Sequence, residues 1–452
     1  MSNSTQSNTF SSNLGAILAA VGSAVGLGNI WRFPYICGKY GGGAFLLVYL
    51  LFIFGLGMTM MMAEFIIGRH TKYTPSKALP AIAPKHPTWR YVGHFGILTA
   101  FLTLSLYWVI SGWTSNYLID ACTGTMSRLG TDATAVIGYF NGFVSSAWAP
   151  IACLSVFGVV AMIIIMGGVQ KGIEGVSKIL MPVLVLLLLV LCVHSLTLPG
   201  ATKGISYLLV PDFSKLNSEA ILAALGQALF SLSVGIGMMI VYGGYLPKND
   251  NILKTTFWIT ISDCLIAILA GIAIFPAVFS SGMEPAEGAG LVFKVLPIVF
   301  NDMGGIGQAV AIIFFLLLVV AALTSAISLL EYLCVWLTEV LHIGRKVSAL
   351  ICTIATVGVG AVLSLSNGLL SDITLFDKSL FSIADLLSGT YLFPLCALGI
   401  SIFFGWFMPI DDISDELSNH GTISIRYFKV FYFLLRYIVP LALIVVFASS
   451  IL

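Results

Sequence analysis

The sequence predicts an all-α integral membrane protein: eleven transmembrane helices, a five-plus-five inverted repeat, and helices 1 and 6 unwound at mid-membrane. Three observations lead there. Of the 452 residues, 58% are hydrophobic and only 9% charged, against about 25% charged in soluble domains, so polar side chains are too few to cover a water-facing globule. Apolar runs of the ~20 residues needed to cross a bilayer recur along the chain. The first and sixth of these runs carry helix breakers at their middles.

The runs lie near 14–37, 43–68, 91–121, 148–167, 176–198, 219–245, 255–280, 306–340, 347–366, 379–405 and 429–451. They are too long and too evenly apolar for barrel strands of about 10 alternating residues. Lys and Arg set the orientation. Loops after even-numbered runs hold fourteen of the 21 cations, among them Arg69, Lys72, Lys171, Lys248, Arg345, Lys346, Arg426 and Lys429. The opposite side holds Arg32, Lys39, Arg128, Lys203, Lys215, Lys294 and Lys378. The expected placement is therefore a multi-pass inner (plasma) membrane protein with its N-terminus cytoplasmic and its C-terminus outside. The tail before Leu14 lacks the charged start of a cleaved signal.

The breaks decide the architecture. The first run reads LAAVGSAVGLGNIWRFP, with Gly22, Gly26 and Gly28; the sixth reads GQALFSLSVGIGMMIVYGG, with Ser231, Ser233, Gly235 and Gly237. Glycine is common in membrane helices because it permits close packing, which explains scattered cases such as Gly55 and Gly57. Two interrupted runs five apart fit an inverted repeat better, and unwound backbone at that depth belongs where it lines a cavity or is buried in protein. The expected division is a tail (1–13), a first repeat (14–198), a second (199–405), and a loop with helix 11 (406–452).

Function classes narrow by exclusion. Lys+Arg is 21 against Asp+Glu 20 with no basic run, which argues against nucleic-acid binding. No nucleotide loop, nucleophile elbow or HExxH is present, so no enzyme is indicated. The eight cysteines have no metal-type spacing and read as buried small hydrophobes; one bridge, Cys37–Cys122, stays open.

The run GSAVGLGNIWRFPY with GGGAF (41–45), AEFIIGR (63–69), QALFSLSVGIG (227–237) and AALTSAIS (321–328) resembles the neurotransmitter:sodium symporters, in their bacterial amino-acid branch. The resemblance runs from about Leu14 to the end of the tenth segment. It implies a sodium-coupled symporter that imports neutral hydrophobic or aromatic amino acids by alternating access, with no cofactor and Na+ as coupling ion. Most members have twelve helices, so an eleven-helix chain departs from the family while keeping the repeat whole. The alternatives are a proton-coupled or osmolyte carrier on the same fold, or a channel or receptor. A channel would show pore-lining rings from repeated subunits. Partners are then the substrate, sodium and membrane lipid, with oligomeric state open.

Unwinding frees carbonyls for a hard cation and amides for an anion. In the first break, carbonyls of Gly22, Ala24 and Val25 precede amides of Gly26, Leu27 and Gly28. A zwitterion fits there, its ammonium meeting the Ala24, Phe230 and Ser231 carbonyls. By resemblance, sodium site 1 is Ala24, Asn29, Ser231 and Asp263; sodium site 2 is Gly22, Val25, Ala321, Thr324 and Ser325. All are oxygen donors, as a hard cation requires. Taken alone, Thr324 and Ser325 read as back-bonded to their own helix. The substrate pocket implied is Ser23, Ala24, Gly26, Leu27, Gly28, Thr103, Tyr107, Phe230, Ser231, Ser233, Ile236, Ser325 and Leu329. Monoamine carriers have Asp where this chain has Gly26, so here the ligand must bring its own carboxylate. Many members have Asn at Asp263, which would here cluster with Tyr49, Gln227 and Ser231. A fixed negative charge there would repel the chloride that other members bind; a structural Asp is the bland alternative.

The implied outer gate is Arg32 with Asp385; the alternative for Arg32 is an anchor at the outer interface. On the inner side Glu339 matches the acidic partner, but Ser7 stands near the usual arginine and Phe10 where a tryptophan is usual. Tyr245 and Glu331 are expected to supply part of that gate through a hydrogen bond. Glu64 is expected to support the unwound helix 1.

Overall fold

A computed structural model describes residues 9–282, 291–426 and 428–451. Among them nine helices are long and apolar enough to cross a membrane: Gly43–Thr71, Pro87–Thr123, Ala149–Met166, Val169–Leu196, Ile252–Ser280, Gly304–Leu341, Arg345–Leu365, Leu380–Trp406 and Phe428–Ala448. The first run is a bent pair, Asn13–Ala24 and Gly28–Lys39, with 48° between its halves. The sixth run is divided into Ser218–Ser231 and Met238–Tyr245. Both breaks thus fall within the two runs that carry the mid-segment glycines and serines.

The ends follow capping chemistry. Ser12, Asn217 and Asn251 each accept from a backbone N–H of the first turn, at 3.1, 2.8 and 2.9 Å, satisfying donors that a helix start leaves free. At the first break Val25 turns extended (φ −77°, ψ 111°). At the second, Ser233, Gly235 and Gly237 all have positive φ (55°, 102° and 83°), so the chain cannot continue as a right-handed helix.

Pro87–Thr123 packs along Gly304–Leu341, and Trp108 Nε1 donates to Thr356 Oγ1 (2.9 Å), tying in Arg345–Leu365. Met238–Tyr245 lies on the second half of Gly43–Thr71, where Gly68 and Gly243 bring the two backbones together. Around this interior, Val156, Ile163, Leu186, Val193, Ile354 and Leu441 are exposed. That apolar exterior suits lipid.

Two ends of the bundle carry polar structure. At one, GGGAF explains itself: Gly42 has φ +66°, and a Cβ there would overlap the Tyr207 carbonyl. Tyr207 Oη in turn donates to the Gly38 carbonyl (2.6 Å). At the other end Arg69, 3% exposed, ion-pairs with Glu416 (2.6 Å) and donates to the Asp250 carbonyl (2.7 Å). Glu416 belongs to the short acidic helix Ile410–Leu417. The Cys37–Cys122 bridge does not form: Cys37 is buried, donating to the Gly42 carbonyl (3.4 Å), while Cys122 is exposed and both thiols are free.

Candidate substrate and ion site

The two breaks meet. Ser233, displaced from helical geometry by its positive φ, donates its hydroxyl to the Ser23 carbonyl (3.1 Å). Glu64 holds the second break from behind, accepting from Gly235 N (2.5 Å) and Met239 N (3.1 Å). This corrects the sequence expectation: Glu64 serves helix 6, not helix 1. It fixes amides that have lost their helical acceptors.

Between the breaks lies a small cavity of about 30 Å³. Ser23, Ala24 and Gly28 line it from the first break, Phe230, Ser233, Ile236 and Met238 from the second, with Thr103, Tyr107, Ser325, Leu329 and Phe393 completing the wall. That volume holds about two waters, so an amino acid enters only if the walls move outward. Gly26, Leu27 and Ser231 stand behind this surface. Gly26 N donates to Asn29 Oδ1 (3.2 Å) and Leu27 N to Tyr107 Oη (3.2 Å). A Cβ on Gly26 would overlap Ser325 Oγ. Met238 and Phe393 were not among the sequence candidates; their only signals were Met238 opening the second half-helix and Phe393 in an FP pair.

One oxygen cluster sits on Asp263, fully buried. Its carboxylate accepts from Asn29 Nδ2 (2.7 Å), Ser231 Oγ (2.7 Å) and Tyr49 Oη (3.1 Å). Gln227 does not join them. Its Nε2 donates to the Gly28 carbonyl (3.0 Å) and its Oε1 accepts from Arg32 (2.6 Å), because the nearby guanidinium offers a charged donor. A second cluster gathers on Gly304–Leu341. Thr324 Oγ1 donates to carbonyls of Val25 (3.3 Å) and Ala321 (3.0 Å), and Ser325 Oγ to that of Ser23 (3.3 Å). Gly22 packs beside Thr324. Both donor sets are all oxygen, which fits a hard cation.

Access differs on the two sides. Arg32 and Asp385 line a vestibule of about 250 Å³ without an ion pair between them. Arg32 instead stacks over Phe230 at 4.7 Å. The other side holds a depression of about 440 Å³, lined by Lys72, Thr74, Tyr245, Cys334, Glu339 and Arg345, and an ion pair separates it from the breaks. Glu331, fully buried, receives Arg345 at 2.5 and 2.9 Å and Tyr245 Oη at 2.5 Å. Phe10 N donates to the Tyr245 carbonyl (3.0 Å), and its ring packs against Tyr242 and Tyr245. Glu339 accepts from Thr74 N (3.0 Å) and Thr74 Oγ1 (2.5 Å). Ser7 lies outside the described residues. Arg345 was counted in the sequence only as a loop charge; its bidentate role was missed.

A bundle with two broken helices enclosing oxygen clusters and a central cavity is a membrane transporter's architecture. The sequence profile of the sodium:neurotransmitter symporter family matches residues 7–132 and 141–452. An uncharacterized sodium-dependent transporter, YhdH of Bacillus subtilis (strain 168), is 39% identical over 442 residues, covering 98% of this chain and 97% of the relative. One from Haemophilus influenzae is 35% identical, covering 99% of each. The crystal structure of MhsT in complex with L-phenylalanine superposes with a TM-score of 0.89 at 40% identity, covering 98% of this chain and 99% of that one. The chain belongs to the sodium:neurotransmitter symporter family. It is a sodium-dependent membrane transporter and not an enzyme.

Proposed function

We propose that this protein is a symporter importing neutral hydrophobic or aromatic amino acids by alternating access, driven by sodium and independent of chloride. The observation that carries it is the cavity between the two breaks: small, walled by Tyr107, Phe230, Phe393, Ile236 and Leu329, with serine hydroxyls at one end. Apolar and aromatic walls with a few fixed polar groups suit such a side chain. Gly26 supplies no acid, so the substrate's carboxylate faces sodium. The likeness to MhsT, crystallised with L-phenylalanine, supports the same class.

In this reading sodium site 1 uses Ala24, Asn29, Ser231 and Asp263, and site 2 uses Gly22, Val25, Ala321, Thr324 and Ser325. Arg32 with Asp385 closes the outer side; Tyr245, Glu331, Arg345, Phe10 and Glu339 close the inner. Ten of eleven crossings form two inverted repeats, 14–198 and 199–405, and helix 11 follows in 406–452, with the N-terminus cytoplasmic and the C-terminus outside.

Radiolabelled uptake into proteoliposomes tests it, with phenylalanine, tyrosine, tryptophan, leucine, glycine betaine and a monoamine. Uptake of the aromatic or aliphatic amino acids is expected only with an inward sodium gradient. Uptake driven equally by a proton gradient in choline, or confined to betaine, points to the other carriers on this fold.

A further inference from the structure

A cation sits where neither substrate nor sodium passes. Arg436 lies in Phe428–Ala448, inside a π turn spanning Leu434–Ile438. Its guanidinium stacks over Trp406 at 4.2 Å, with Tyr432 and Tyr437 rings each at 5.6 Å. Hydrogen bonds build the surround: Tyr432 Oη donates to the Gly405 carbonyl (2.9 Å), and Trp406 Nε1 donates to the Arg436 carbonyl (3.3 Å). Gly405 makes room, since a Cβ there would press on Arg436 Cα at 2.8 Å.

Charge is left over in this cage. Nη1 donates to Tyr432 Oη (3.0 Å), and Nε is enclosed with no partner. No carboxylate among the described residues ion-pairs with Arg436. A cation in a span requires a counter-charge or escape to the interface. Helical side chains lean toward the N-terminus, and Trp406 ends its own span, so the guanidinium reaches back to the membrane boundary. Lys429, exposed, stands about two turns nearer that boundary.

Apolar surface flanks the charge. Val430, Phe433, Trp406 and Tyr437 are 57, 51, 53 and 47% exposed. A cation beside exposed apolar and aromatic side chains is complementary to a molecule with an anionic head and hydrocarbon tails. A soluble anion would leave the apolar part unused.

We propose that Arg436, with Lys429, binds the phosphate of an anionic phospholipid between Leu380–Trp406 and Phe428–Ala448. Nη2, neither enclosed nor bonded among the described residues, is left to make a charge-assisted hydrogen bond to a phosphate oxygen, and basic pockets between membrane helices take such head groups. Placing the lipid in the cytoplasmic leaflet rests on the orientation proposed above; the binding does not.

Native mass spectrometry of the full chain in detergent tests this, with dioleoylphosphatidylglycerol, dioleoylphosphatidylcholine or inorganic phosphate added. The wild type is expected to retain one phosphatidylglycerol preferentially, and Arg436→Gln to lower that retention at least fivefold. Lys429→Gln should lower it about twofold. Equal retention of phosphatidylcholine, or unchanged retention in Arg436→Gln, overturns the proposal. Displacement of the lipid by millimolar inorganic phosphate reassigns the site to a soluble anion and also overturns it. Sodium-dependent substrate binding reports that each variant is folded. Should Arg436→Gln not fold, Trp406→Leu removes the stacking face and must show the same loss. A wrong orientation moves the site to the other leaflet and leaves these outcomes unchanged.

Discussion

At the scale of single residues the first break is governed by space as much as charge. A Cβ on Gly26 would press on Ser325 Oγ and Tyr107 Oη, so Gly26→Ala is expected to weaken substrate binding about 5–150-fold, the roughly 1–3 kcal/mol typical of overpacking. Scintillation-proximity binding measures it. Gly26→Asp will fail for the same steric reason and therefore cannot locate the substrate carboxylate; near-normal affinity in Gly26→Ala would mean the break readily gives way.

Asp263 carries the charge question. It accepts from Asn29, Ser231 and Tyr49, all neutral donors. A sodium ion within 4 Å interacts with a carboxylate by about 4 kcal/mol at an effective dielectric near 20. Wild-type uptake should then be equal in chloride and gluconate. Asp263→Asn should be weak in gluconate and recover in chloride. Initial rates for both proteins in both anions decide it, and a chloride requirement in the wild type removes Asp263 from the sodium site. Gln227 shows what a linear motif hides. The family resemblance put it beside Asp263, but the Arg32 guanidinium offered a charged donor.

At the scale of elements, the breaks were legible because two interrupted apolar runs stand five apart, a pairing that helix packing by scattered glycines does not explain. The closure around Glu331 was not. Arg345 reads in sequence as one more orienting charge. Only the approach of Arg345–Leu365 to Gly304–Leu341 shows it gripping Glu331. Glu331 is fully buried, and removing one partner of a buried pair costs roughly 3–5 kcal/mol of the state that contains it. Arg345→Ala should accordingly favour the inward-open state. Cys334, which lines the inner depression and is 1% exposed, serves as the reporter. Its alkylation from the cytoplasmic side is expected to rise at least tenfold, while Arg345→Lys rises less. Unchanged alkylation would assign the pair a purely structural part.

At the scale of the whole molecule, composition and run length announced a helical membrane protein, and the long helices follow the apolar runs closely. Distant contacts were legible only where the family resemblance supplied them, as for Tyr245 with Glu331; a pairing such as Arg69 with Glu416 was not, because it depends on where two loops meet in space. Orientation is open to a direct check. Cys122 is exposed at the end of Pro87–Thr123, the outer end if the N-terminus is cytoplasmic. A membrane-impermeant maleimide should label it on intact cells without permeabilisation, and Cys122→Ser should abolish that signal. Labelling only after permeabilisation would reverse the topology.

Glu64 belongs to Gly43–Thr71, yet its hydrogen bonds end on Gly235 and Met239. Were residues 232–237 to coil into a continuous helix, those two amides would turn to their own carbonyls. Glu64 would then stand as a bare acid in a dry interior, at a penalty of several kcal/mol. That penalty favours the interruption as a fixed elbow over a continuous helix. Through the same two hydrogen bonds Glu64 ties Gly43–Thr71 to the joint, so the helix and the elbow are coupled in this structure.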